Sequence, residues 1–588
     1  MVALSRFDEN PCAPRHFKPP PCAPVIRDRE AQEALETGRT RLLVAGALFV
    51  LLFAVIALRL FDVMVLSGGL DTTLKGRSGA PPLLRASITD RHGKLLATSL
   101  ASPSLYADPK QITDPAAAAR ALVSVLPELS PAAVYAKLSS KKSFVWIERH
   151  LTPRQEYDVN SLGIPGLQFQ HEERRVYPYG NLFSHVVGFT GIDNKGFAGV
   201  ERGLDGVLAG RSEPLQLSLD VRLQYILHHE LQRVVDDFTA KSAAGLIMNV
   251  NTGEILAMVS LPDFDPNRPD APEPGNSQIP LKERLFNRAT LGDYEIGSVF
   301  KVFTIAMALD SGAATMTSRF DATSPIRIGR FTISDYHGKR RPLSVPEIIA
   351  YSSNIGAAKI GLAAGGDRLR DYLGRFGLLR PPTLELSEVG RPHFPRGPWH
   401  PVSVMTIAFG HGISETLLNI ADGASALVNG GILRQPTLLK LPRGYAPEGR
   451  RVISEETSLK MRKLLRLVVE RGTGKMAQAP GYVVGGKTGT AERVERGAYA
   501  RHSLRSSFLG VFPMQNPKYL ILTMIDEPHG TKASYGYATA GWTAAPATRR
   551  IVERIAPLLG VAPVDANSPA IADKLQISSL IGHPIAPY

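Results

Sequence analysis

Glu295-Ile-Gly-Ser298-Val-Phe-Lys301-Val-Phe-Thr-Ile-Ala306 places a hydroxyl and an ammonium three residues apart at the head of an apolar run. Three residues is close to one helical turn, so the two side chains share a face. A serine at a helix start also feels the partial positive charge of the free N–H groups. Val299, Phe300, Val302, Phe303, Ile305 and Ala306 leave this helix no polar side, which predicts burial. A lysine held there, partly desolvated and close to other cations, can lose its proton and act as a base. Alone the spacing is a weak signal, because Ser139-Ser-Lys-Lys142 matches it in a polar stretch.

Two later elements give Ser298 its weight. Ser352-Ser353-Asn354 lies between helical segments. Its first hydroxyl can relay a proton, and its amide can orient the lysine and hold a substrate amide. Lys487-Thr488-Gly489-Thr490 follows Tyr482-Val-Val-Gly-Gly486. Small residues there let a strand edge approach a ligand backbone, and the lysine can bind a carboxylate.

In this order the three elements resemble the motif set of the penicillin-binding protein family. Asp90-Arg91-His-Gly93, Arg175-Val-Tyr-Pro178 with His185-Val-Val-Gly188, and Gly199-Val-Glu201 resemble signatures of the pedestal domain of class B members. Phe409-Gly-His-Gly412 resembles the stretch between the second and third motifs. The similarity spans about residues 42–560, with no glycosyltransferase domain before the pedestal. Ile296 stands where the family often has proline, at a position that shapes a turn.

The resemblance implies an α+β architecture: an antiparallel transpeptidase sheet flanked by helices, an elongated pedestal and one transmembrane helix. It implies a peptidoglycan D,D-transpeptidase. Lys301 activates Ser298, and Ser298 attacks the penultimate D-Ala carbonyl of a stem peptide. Backbone N–H groups of Ser298 and Thr490 form the oxyanion hole. Ser352 passes a proton to the leaving D-Ala, and Asn354 orients Lys301. Lys487, Thr488 and Thr490 hold the terminal carboxylate, with Gly489 admitting the ligand. β-Lactams are expected to acylate Ser298, with no metal or cofactor required. The tail and the sequence around Ser298 look like the division-specific branch, which implies a SEDS-type glycosyltransferase and other division proteins as partners. An elongation-specific enzyme is the alternative within the class. A β-lactam hydrolase or sensor shares the motifs but lacks the pedestal, and a catalytically silent scaffold lacks a reason to keep all three motifs.

Residues 42–58 form an unbroken run of apolar and small side chains, resumed from Leu60 to Leu66 after Arg59. At about 1.5 Å per residue a helix over 42–66 crosses a ~30 Å hydrocarbon core. Arg59 and Asp62 share one face of that helix, where they pair or snorkel at the membrane rim; a contact with a partner membrane protein is the other reading. Arg6, Arg15, Lys18, Arg27, Arg29, Arg39 and Arg41 precede the run and favour an inside N-terminus. The catalytic part is then expected outside the cytoplasmic membrane.

With 588 residues the chain is expected to form two or three domains. The predicted layout is a flexible tail at 1–41, the span at 42–66, the pedestal at 67–214, the transpeptidase domain at 215–560 and a flexible tail at 561–588. A hairpin over 245–260, two strands at 507–512 and 519–525, and a closing helix at 545–559 suggest one antiparallel sheet closed by both ends of a large domain. Lys and Arg total 68 against 54 Asp and Glu. They are scattered, without a basic run or a base-stacking motif, so nucleic acid is not an expected partner. Cys12 and Cys22, both in the tail, allow no disulfide framework in the body of the chain. Gly481–Thr488 fits a phosphate-loop pattern formally, but the residues after it lack an apolar helical face. His229-Glu230-Leu-Gln-Arg233 has arginine where a zinc protease needs its second histidine.

Overall fold

A computed structural model of the chain describes residues 43–58, 85–271, 278–329, 331–495 and 498–577. The chain divides into two compact units, Met1–Pro82 and Leu83–Tyr588. In the first, residues 43–58 are helical. Their large apolar side chains are exposed, Val50 at 71% and Leu43 at 67%. Among the described residues no helix is long and apolar enough to cross a membrane. The predicted span is described only over 43–58; its remainder, the tail at 1–41, and Cys12 and Cys22 lie outside the described residues.

The second unit opens with a strand and a tight turn. β1 (Ile88–Thr89) leads through Asp90-Arg-His-Gly93 into β2 (Leu95–Ala107). The Asp90 carboxylate accepts from the N–H groups of His92 and Lys94 at 2.8 and 2.9 Å, which closes the turn. α1 (Pro115–Val125) starts at Asp114, whose carboxylate accepts from two helix N–H groups. α2 (Pro131–Leu138), β3 (Val145–Glu148), α3 (Pro153–Asn160), β4 (Leu167–Val176) and β5 (Leu215–Gln216) follow. The sheet order is β3-β2-β1-β5, with β4 also paired to β2. Leu105, Leu122, Leu126, Leu138 and Ile147 form a core of their own between this sheet and the helices.

A buried ion cluster ties this region together. Glu201 accepts from Arg85 Nε at 2.6 Å and from Arg175 Nε at 2.7 Å, and all three side chains are nearly inaccessible. Arg175 also donates to the carbonyls of Arg85 and Ala86. Each guanidinium is thus matched by fixed acceptors, the condition under which buried charge is tolerated. Arg175 and Glu201 belong to the two signatures quoted above; Arg85 was not foreseen.

The second sheet is antiparallel and built from both ends of its domain. α4 (Val221–Asp237), capped by Asp220, precedes β6 (Ser242–Asn249) and β7 (Ile255–Leu261). The helical body contains α5 (Lys301–Asp310), α6 (Val345–Tyr351), α7 (Asn354–Ala364), α8 (Leu417–Ala426) and α9 (Glu455–Arg471). β8 (Gly485–Glu495), β9 (Ala498–Phe512) and β10 (Tyr519–Asp526) complete the sheet in the order β8-β9-β10-β6-β7. α10 (Ala544–Leu558) and α11 (Pro569–Leu575) follow.

The inner strands are apolar at both alternating positions because both faces are covered. Ala243, Ile247, Phe508, Ile521 and Ile525 face the layer that holds α4 and α10. Leu246, Met248, Leu509, Leu520 and Leu522 join the larger core with α5, α8 and α9. β8 is an edge strand, so one side of the Lys487–Thr490 run is free of a strand partner.

The chain end differs from the expected tail over 561–588. Residues 561–577 are ordered against the domain: α11 contacts α9, and Ile571, Leu575 and Ile577 enter the main core. Ala, Pro and Asp dominate the composition there and mask three apolar residues that suffice for docking. Residues 578–588 lie outside the described residues. Leu575→Ala is expected to lower stability by about 2–3 kcal/mol, as for other buried leucines. Thermal unfolding checks this, and an unchanged melting temperature would restore the tail reading.

Candidate active site

Gly297–Phe300 is a turn of 3₁₀-helix that runs directly into α5. In such a turn residues i and i+3 eclipse, which aligns Ser298 with Lys301 more closely than an α-turn would. The Lys301 Nζ lies 3.0 Å from the Ser298 Oγ. Lys301 is completely buried, as is nearly all of α5.

Three further atoms surround the same nitrogen. Lys301 Nζ donates to the Ser352 carbonyl at 2.5 Å and to Asn354 Oδ1 at 2.7 Å, and lies 3.2 Å from Ser352 Oγ. The orientation of the Asn354 amide is dictated by its other end, where Nδ2 donates to the Ser334 carbonyl at 3.0 Å. The Ser352 carbonyl and Asn354 Oδ1 can only accept. A neutral Lys301 amine has two N–H groups for those two acceptors, which leaves its lone pair for the Ser298 hydroxyl. Burial pulls the Lys301 pKa down to about 7, against an opposing pull from the negative charge of Asp335. About half of the lysine is then neutral at pH 7, against about one part in a thousand or less for an exposed one.

α6 ends at Ser352 in the left-handed conformation, φ +58°. Glycine is the usual residue at such a cap, and a side chain there costs about 1–2 kcal/mol. That conformation places the Ser352 hydroxyl within reach of two lysine nitrogens, with Lys487 Nζ at 2.9 Å and Lys301 Nζ at 3.2 Å. Strain of this kind concentrates at functional positions.

Lys487 comes from edge strand β8 and is fully buried. It also donates to the Thr488 carbonyl at 2.9 Å. Burial first, and then the Lys301 charge, hold its pKa well below the ordinary lysine range. No carboxylate forms an ion pair with Lys487 among the described residues. An anionic ligand would therefore be attracted to this end of the site. The Thr488 hydroxyl lies 2.6 Å from that of Thr473, and Thr490 Oγ1 accepts from the Ala540 N–H at 3.2 Å. A hydroxyl that accepts once still has a proton to donate, so Thr490 retains a donor for a ligand.

Two glycines bring the backbones into register. A Cβ on Gly489 would lie 2.5 Å from the Ile296 carbonyl, so only glycine lets β8 pass this close to the Ser298 turn. Gly410, at φ +88°, packs onto the same turn from the opposite segment, where a Cβ would lie 2.1 Å from the Gly297 carbonyl. Glu295 completes the seam by accepting from the Gly412 N–H at 2.9 Å. His411 between these glycines is held neutral, its pKa lowered to about 4 by burial and by the Lys301 charge.

The structure thus joins Ser298, Lys301, Ser352, Asn354, Lys487 and Thr488 in one hydrogen-bonded network, with Gly489 and Thr490 continuing along the same strand edge. The duplicate pattern at Ser139–Lys142 is elsewhere and exposed, with Ser139 bonded to its own helix at the Tyr135 carbonyl. Gly481–Thr488 enters a strand, so it lacks the helix a phosphate loop requires. Glu230 is occupied by Arg550 and Arg554 at 2.6 and 2.8 Å. Asp335, Ser334 and Thr473 contribute to the site without having been foreseen. They lie in turn sequences with no spacing relation to the motifs they support.

Residues 243–553 match the penicillin binding protein transpeptidase domain, and residues 81–233 match the penicillin-binding protein dimerisation domain. The chain is 42% identical to the probable peptidoglycan D,D-transpeptidase FtsI of Caulobacter vibrioides, over 81% of this chain and 82% of that one. It is 33% identical to the probable peptidoglycan D,D-transpeptidase PenA of Neisseria gonorrhoeae, over 83% and 86%. Among solved structures, penicillin binding protein 3 of Mycobacterium tuberculosis complexed with ampicillin shares the fold at a TM-score of 0.65 and 24% identity, covering 84% of this chain and 99% of that one.

Gly410→Ala is expected to displace the Gly297 carbonyl, lower the melting temperature and slow covalent labelling of Ser298 by a fluorescent penicillin at least tenfold. Wild-type melting and labelling together would contradict the close packing described.

Proposed function

The chain belongs to the penicillin-binding transpeptidase family, and from that premise we propose that it cross-links peptidoglycan stem peptides through an acyl-enzyme on Ser298. The observation that carries this reading is the placement of a buried lysine, held near neutrality, against a serine hydroxyl 3.0 Å away.

The steps follow from the geometry. Neutral Lys301 takes the Ser298 proton as Oγ attacks the carbonyl of the penultimate D-Ala. The backbone N–H groups of Ser298 and Thr490 receive the developing oxyanion, a contribution worth about 10²–10³ in rate per donor. Ser352, within hydrogen-bond distance of Lys487 and close to Lys301, delivers a proton to the departing D-Ala nitrogen. The terminal carboxylate docks on Lys487 with the Thr488 and Thr490 hydroxyls. An amine from a neighbouring stem peptide then attacks the acyl-enzyme, regenerating Ser298 and forming the cross-link. A β-lactam places its strained amide and its carboxylate at the same two points and leaves a long-lived ester.

The N-terminal tail and the sequence around Ser298 support a septal role in division. The exposed apolar helix at 43–58 and the sequence that continues it to residue 66 support a single-pass anchor with the N-terminus inside. The catalytic domain then works outside the cytoplasmic membrane, beside a SEDS-type glycosyltransferase that supplies nascent strands.

Fluorescent penicillin is expected to label the wild type and not Ser298→Ala; retained labelling would remove Ser298 from its role. Acylation needs neutral Lys301, so its second-order rate rises through about pH 7 and levels off above. A rate independent of pH between about 5 and 9 would remove Lys301 as the base. Depletion in cells is expected to give filaments, and rounded cells would assign the chain to elongation.

A further inference from the structure

We infer that Asp335 is a positioning residue for acyl transfer, holding the Ser352–Asn354 segment so that its two acceptors meet the Lys301 amine. The inference rests on the reading of Lys301 and Ser298 given above. It concerns a residue outside the three motifs, 17 positions before Ser352 in the chain and brought to it by the fold.

The start of α7 shows why an outside carboxylate is needed. A helix begins with N–H groups that have no intrahelical partner. Ser353, the N-cap, satisfies only one of them, accepting from the Gly356 N–H at 2.9 Å. Asp335 Oδ1 takes the next two, accepting from the N–H groups of Asn354 at 2.6 Å and Ile355 at 3.0 Å. Asp335 Oδ2 accepts from the Ser353 hydroxyl at 2.7 Å. A single carboxylate therefore fixes three consecutive residues, and it does so at the positive end of the helix, where an anion is stabilised. The adjacent Ser334 carbonyl accepts from Asn354 Nδ2, which turns Oδ1 of that amide toward Lys301. The Ser334–Asp335 pair thus sets both the backbone and the side-chain orientation of Asn354.

The same carboxylate acts on Lys301 through space. Among the described residues Asp335 is the anion whose charge raises the Lys301 pKa, while Lys487 and His411 also feel the Lys301 charge. Removing the negative charge leaves burial unopposed, so the lysine loses its proton at lower pH. Removing the whole side chain also releases the Ser353–Ile355 backbone. Charge and grip therefore separate in two substitutions.

Asp335→Asn keeps an oxygen that accepts from the two N–H groups and loses the charge. Asp335→Ala loses both. The test is the second-order rate of fluorescent-penicillin acylation against pH, on the full chain, for wild type, Ser298→Ala and both Asp335 variants, with melting temperatures recorded alongside. Asp335→Ala is expected to acylate at least tenfold more slowly on its plateau. Asp335→Asn is expected to retain more of the rate and to move the acid limb to lower pH, which a loss of stability alone does not produce. Wild-type rate and limb in Asp335→Asn at an unchanged melting temperature would overturn the inference, even if Asp335→Ala fails to fold. Labelling that persists in Ser298→Ala would instead overturn the underlying assignment of the nucleophile.

Discussion

A lysine amine buried without a carboxylate in direct contact is the constraint around which the domain is organised. Lys301 is entirely inside the protein, and the atoms within hydrogen-bond distance of its nitrogen are neutral oxygens. Water would solvate the charged form far better than these do, so the site favours the free base. An ion pair would have reversed that preference and silenced the base. Asp335 lies close enough to act on the charge but spends its oxygens on backbone N–H groups and on Ser353.

Much of the fold exists to deliver these oxygens to one point. The sheet is closed by both ends of its domain, and its edge strand, β8, lies against the Ser298 turn. α6 stops one residue short of comfort, with Ser352 in a left-handed conformation. The Phe409–Gly412 segment packs from the third side through Gly410 and the Glu295 carboxylate. At Gly489 and Gly410 the approach is a backbone contact that a Cβ would block, the close packing that preorganised catalysis requires.

The sequence made the chemistry more legible than the support. Ser298, Ser352 and Lys487 sit in short local patterns, because helix caps and strand edges impose their own residue types. The hairpin, the late strands and the closing helix follow from periodicity and turn residues. Asp335 and Thr473 carry no such signature, since what they do depends on a fold that brings distant turns together. Arg85 is similar: its role exists only once Glu201 and Arg175 converge on it. The docking of α11 was hidden for another reason. Three apolar residues in an Ala- and Pro-rich stretch lie below what composition can reveal, yet they are enough to bury one face of a short helix.

The central claim is that Lys301 loses its proton near neutral pH before any ligand binds, and not in the ordinary lysine range. Carbon-13 NMR of protein labelled at the lysine ε-carbon reads it directly, with Lys301→Met to assign the signal. A resonance that titrates near pH 7 and vanishes in Lys301→Met is the predicted result. A Lys301 signal that titrates with the exposed lysines, at about 10.4, would contradict it.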